Sequence, residues 1–150
     1  MKNPFVSSAL FFAFSVTSFA RVGETLAEAV KRYGKVVSHD TIHGEQFYSF
    51  EKNGFHILVH FHDGKIDRIL YNSQSRAKLT HEEIDTFLKA NNGGRLMNED
   101  LPYLWVGKDA SATYSKWPGA AWHLDIKART YGHRRIVPKK AEEKANLEGF

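Results

Sequence analysis

Cysteine is missing from all 150 residues. Its absence removes disulfides, thiol nucleophiles, redox dithiols, zinc knuckles and iron–sulfur ligation, and it leaves no residue for a lipobox. A small exported protein of this kind rests on its hydrophobic core alone. Long apolar runs are lacking as well. The stretch 9–16 is too short to span a hydrocarbon layer, which needs about 20 helical residues, and no other segment is apolar enough to cross a membrane. The usual enzyme signatures are also missing: there is no Gly-x-Ser-x-Gly, no His-Glu-x-x-His and no glycine-rich phosphate loop. An acid–base pair assembled across the fold leaves no such signature, so these absences favour a non-catalytic protein without deciding the matter.

What is there begins at the N-terminus. Met1 and Lys2 supply a positive start, residues 9–16 an apolar core, and Ser18-Phe19-Ala20 small residues at the −3 and −1 positions. This is the layout of a secretory signal peptide cleaved after Ala20, and it implies a periplasmic or secreted protein. The remaining 130 residues suit one domain.

Charge is unevenly spread. The net charge is +4. Residues 21–126 are close to neutral, whereas 127–150 hold Lys127, Arg129, Arg134, Arg135, Lys139, Lys140 and Lys144 against Glu142, Glu143 and Glu148. The expectation is a folded body over 21–128 and a basic, flexible tail over 129–150. Such a tail suits contact with anionic envelope surfaces, and export argues against nucleic acid.

Two capping boxes mark helices. Thr25-Leu26-Ala27-Glu28 precedes Ala29, Val30 and Tyr33 at helical spacing, with Gly34 as the stop. Thr80-His81-Glu82-Glu83 precedes Ile84, Phe87 and Leu88, with Leu79 and Ile84 placed as a hydrophobic staple. Between them, Asn53-Gly54 and Asp63-Gly64 are two-residue hairpin turns joining strands over 47–51, 55–62 and 65–72. Regular pairing puts Tyr48, Phe50, Phe55, Ile57, Val59, Phe61, Ile66 and Leu70 on the core face, with Arg68 misplaced among them. The other face carries Phe47, Ser49, Glu51, His56, Leu58, His60, His62, Lys65, Asp67, Ile69 and Tyr71. A weaker strand pattern follows at 104–106, 110–115 and 120–128. The expected fold class is α+β, a two-layer sandwich of tandem repeats, each a helix plus a three-strand antiparallel meander, over about 22–72 and 79–128.

Gly23-Glu24-Thr25, the helix end Arg32-Tyr33-Gly34-Lys35 and the turn Phe61-His62-Asp63-Gly64-Lys65 resemble features of small secreted bacterial proteins without assigned function. The helix-and-meander layout is similar to the β-lactamase-inhibitor-protein-like fold, which small outer-membrane-assembly lipoproteins also use. The resemblance implies a binding module that recognises proteins through a sheet face or its loops. The chain departs from both groups in having neither disulfides nor a lipidated cysteine.

Two chemical readings attach to the mixed face. In the first, Phe47, His56, Leu58, His60, His62, Ile69 and Tyr71 recognise a protein partner of the cell envelope, since aromatic and adaptable polar groups together make such surfaces. The alternative covering of this face is the C-terminal segment or a second copy. In the second, His60 and His62, two residues apart on one strand, join Asp67 across the hairpin to hold Zn²⁺ or Cu²⁺; no other cofactor is implied. The same histidines also fit as ordinary solvent-side residues. His56 faces Glu51 as a cross-strand polar pair. Of the tryptophans, Trp122 fits the core alternation and Trp117 sits in an exposed turn.

Overall fold

In the computed structural model, which describes residues 21–131, strand takes up 47% and helix 18%. The expected signal peptide, and the tail beyond Tyr131, lie outside the described residues. The element order is α1 (Leu26–Tyr33), β1 (Ser38–Ile42), β2 (Glu45–Lys52), β3 (Phe55–His62), β4 (Lys65–Ser73), α2 (His81–Asn91), β5 (Asn98–Leu101), β6 (Leu104–Val106), β7 (Ala110–Lys116) and β8 (Trp122–Ala128). The strands form one antiparallel sheet in the order β1-β2-β3-β4-β8-β7-β6-β5. This corrects the expected fold class. Over the described residues the chain is a β-rich fold built on a single eight-stranded sheet, with two short helices, and not a two-layer sandwich of helix and three-strand repeats.

The strands absent from the expectation are the edges, β1 and β5. Their sequences, Ser-His-Asp-Thr-Ile and Asn-Glu-Asp-Leu, are exposed at every position. With no buried face they carry no period-2 apolar signal, and short charged edges also resist pairing with other chains. The hairpin joining β1 to β2 turns on His43 (φ 53) and Gly44 (φ 80), a positive-φ pair equivalent to Asn53-Gly54 and Asp63-Gly64.

Local chemistry accounts for both helices. Thr25 and Thr80 each accept from the N3 amide, and Glu28 and Glu83 each return to the cap amide. The Thr25 amide bond holds the Glu28 carboxyl below its ordinary value. Both helices lay their apolar residues on the same sheet face: Tyr33 meets Phe50, and Phe87 meets Tyr71 and Phe55. Ala29, Ile57, Val59, Leu88, Leu124 and Ile126 complete a core with almost no exposure. The Tyr71 hydroxyl lies 3.2 Å from that of Tyr33, and burial pushes its pKa well above the ordinary 10.0.

The register explains what faces where. Strands β2 and β3 pair as expected, with Lys52 opposite Phe55, and His62 opposes Lys65 across the next turn. Between β3 and β4, however, Phe61 pairs with Ile66 and His60 with Arg68, leaving Asp67 as a bulge. One extra residue reverses the faces of all that follows. Ile69 and Tyr71 therefore move to the helix-covered face, where both are fully buried, and Leu70 moves to the open face. Arg68, misplaced in the regular register, reaches the open face by the same shift.

Candidate functional site

The face opposite the helices carries the molecule's charged interior. Here His60 is 1% exposed, Asp67 5%, His123 5% and Asp125 4%, although each is polar or ionisable. Groups of this kind are buried only when partnered. Strand β8 brings Asp125 beside Arg68, whose Nε and Nη2 donate to the two carboxylate oxygens at 2.9 Å each. Lys127 Nζ adds a contact to Oδ2 at 3.0 Å. Burial opposes the charge on Arg68, but the Asp125 hydrogen bonds and charge outweigh it and hold the guanidinium above its ordinary value. A planar fork on a carboxylate is the geometry for which arginine is suited.

A second unit lies one strand away. His60 Nδ1 hydrogen-bonds Asp67 Oδ1 across the bulge. The opposite ring nitrogen, Nε2, is 3.2 Å from Glu45 Oε2, off the angle a hydrogen bond requires. Phe47 tilts against the His60 ring at a centroid distance of 4.7 Å. Tyr131, past the end of β8, stands edge-on to it at 6.0 Å and accepts from Arg68 Nη1 at 3.4 Å. Arg68 and Lys127 both lie within 6 Å of the Tyr131 ring, at 5.7 and 5.9 Å. The chain therefore turns back onto this face as it leaves the last strand, and one aromatic ring ties the two polar units together.

Not all of the expected site residues meet here. Phe47, His56, Leu58, His60 and His62 lie on the open face, with Leu58 37% exposed. Ile69 and Tyr71 do not, because the bulge turns them into the core. His56 pairs with Glu51 at 3.2 Å, as the register predicts. The expected metal constellation is not assembled: Asp67 is engaged by His60, while His62 Nε2 turns to Asp63 Oδ2 at 3.3 Å. Among the described residues no group of three or more His, Asp or Glu stands close enough to hold a metal ion.

Sequence reasoning overlooked Asp125, Lys127, Glu45 and Tyr131. Arg68 was the available signal, since a guanidinium in an apolar alternation needs either a buried acid or a change of register, and here it has both.

No protein-family model matches the chain. No curated protein matches it either. Among solved structures, a cysteine-rich secretory protein from Staphylococcus aureus is similar at 15% identity and a TM-score of 0.48, over 72% of this chain and 44% of that one. The chain thus spans less than half the length of that protein.

Proposed function

We propose that this chain is an exported, non-catalytic recognition module whose open sheet face takes a protein partner in the cell envelope. The supporting observation is the composition of that face. Phe47, Leu58 and Leu70 sit partly exposed around a fixed core of ion pairs, Arg68 with Asp125 and Lys127, and neither helix packs over them. Apolar and aromatic anchors surrounding pre-ordered charges supply contact area at small entropic cost, and the charges set which partner fits.

Because the chain has no cysteine, a single introduced thiol reports on one place. Val30 on helix α1 is 38% exposed and Leu58 on the open face 37%, a matched pair. Leu58→Cys and Val30→Cys variants are labelled with a maleimide in intact cells and after purification. The proposal expects the thiol at 58 to be slowed in cells relative to the purified protein, and the thiol at 30 to be unchanged. Equal ratios at the two positions contradict it.

A further inference from the structure

His60 leaves one buried atom without a match. The residue is 1% exposed, and among the described residues its Nε2 has no hydrogen-bond partner. Nδ1 is turned to the Asp67 carboxylate, which only accepts, so Nδ1 carries the ring proton and Nε2 of the neutral imidazole is itself an acceptor. Glu45 Oε2, 3.2 Å away, is an acceptor too and cannot satisfy it. A buried acceptor beside a carboxylate calls for a cationic donor. On β1, β2 and β3 the open face carries Asp40, Glu45 and Glu51 and neither lysine nor arginine. On β4, Arg68 is engaged by Asp125 and Tyr131, and Lys65 acts on Glu28 of helix α1.

The chain itself continues with such donors. Tyr131 is already seated on this face, edge-on to His60 at 6.0 Å and accepting from Arg68. The sequence then runs Gly132-His133-Arg134-Arg135-Ile136-Val137. Tyr131, Arg134 and Arg135 fall at i, i+3 and i+4, so a helical turn puts both guanidinium groups on the side that Tyr131 presents to the sheet. In extended form, three residues reach up to about 10 Å before the arginine side chain is added, and neighbouring strands stand about 4.8 Å apart. We infer that residues 132–137 form an intramolecular strap over the β2–β3 end of the open face, with Arg134 or Arg135 donating to His60 Nε2 and to the Glu45 carboxylate. One planar guanidinium has donors enough for both acceptors, and a basic segment meets the acidic end of the sheet. The contact needs no outside partner. It leaves Leu58 and Leu70, paired one row along the strands, open for the recognition proposed above.

The test is nuclear magnetic resonance on the purified chain alone. Because cysteine is absent, Lys139→Cys carries a single nitroxide just beyond the strap. The proposal expects the nitroxide to broaden the amides of Glu45, Phe47 and His60 strongly and to spare Asn98 and Leu101 on β5, at the opposite edge. Adding Arg134→Ala and Arg135→Ala removes the selective broadening. Without the label, the same two substitutions move the ring-nitrogen signal of His60 Nε2 from the hydrogen-bonded position toward the unbonded one. Both arginines follow the last strand, and unchanged amide signals from β5 to β8 show that the fold is kept. Broadening that is equal at the two edges, broadening that survives the double substitution, or a His60 ring signal indifferent to the arginines overturns the strap. Broadening passed to an unlabelled chain mixed with a nitroxide-bearing one assigns the segment to a second copy, and overturns it as well. Failure on any of these counts leaves the recognition reading standing, because that reading is tested at Leu58 in cells.

Discussion

Arg68 is the residue on which the open face depends. Its guanidinium lies half-buried with both of its outer nitrogens committed, to Asp125 and to Tyr131. Among the described residues, truncation leaves the buried Asp125 with the Lys127 contact alone. Arg68→Ala is therefore expected to cost about 2 kcal/mol, the range for lost hydrogen bonds to a charged group, whereas Lys127→Ala costs less than about 1 kcal/mol because Lys127 is more exposed. Urea midpoints measured side by side check the order; equal losses would mean that Asp125 does not depend on the fork.

Tyr71 gives a pH test at the same scale. Burial raises its pKa above the ordinary 10.0, so the folded state holds the phenolic proton more tightly than the unfolded chain. That contribution is complete below pH 10 and is lost as pH rises toward the folded value. Tyr71→Phe removes the titrating group, and its stability should fall less steeply above pH 10 than that of the parent, even though the hydroxyl contact with Tyr33 is gone. Chemical denaturation across the alkaline range reads this directly, and parallel curves would contradict it.

At the scale of elements, the bulge at Asp67 decides the faces of β4. Without Asp67, Arg68 still follows Ile66 opposite His60, and Ile69 still meets Val59. Deleting Asp67 is thus expected to leave a regular ladder with the same faces, Ile69 and Tyr71 inside and Arg68 outside. The expected loss is confined to His60, whose buried Nδ1 loses its partner at a cost of about 1–3 kcal/mol. Near-ultraviolet circular dichroism that keeps its aromatic signal, with a lowered denaturation midpoint, is the predicted result; collapse of the aromatic signal would mean that the bulge itself holds the fold.

The same element separates what was legible in the sequence from what was not. The helices and the two hairpins were legible because their signals are local: a threonine three residues from a glutamate, an Asn-Gly, an Asp-Gly. Asp67 was not, because a one-residue bulge leaves both registers with apolar residues on the core face, and only Arg68 marked the wrong one. Edge strands β1 and β5 left no apolar period, since no face of either is buried. The Arg68–Asp125 pair joins residues 57 apart in the chain, through the β4–β8 pairing at the centre of the sheet. No spacing rule reaches that far. Of the candidate site, the histidine strand was legible with Phe47 and Glu51 beside it on β2, whereas Glu45, Asp125, Lys127 and Tyr131 were not.

For the whole molecule, the architecture divides the sheet into two unlike faces. One is covered by both helices and closed by aliphatic and aromatic packing. The other holds its order through ion pairs and the Phe47–His60–Tyr131 ring contacts. Hydrophobic burial on the first face supplies stability, and in the proposed reading fixed charge on the second sets which partner fits. The recognition surface proposed above is the second of these faces. The measurement that tests it most directly is site-specific photo-crosslinking in intact cells, with benzoylphenylalanine placed at Leu58 or at Val30. The account predicts a discrete adduct from position 58 that is lost when Phe47→Asp is added to the same chain, and no such adduct from position 30. Adducts that are the same from both positions, or an adduct from 58 that survives Phe47→Asp, would contradict it.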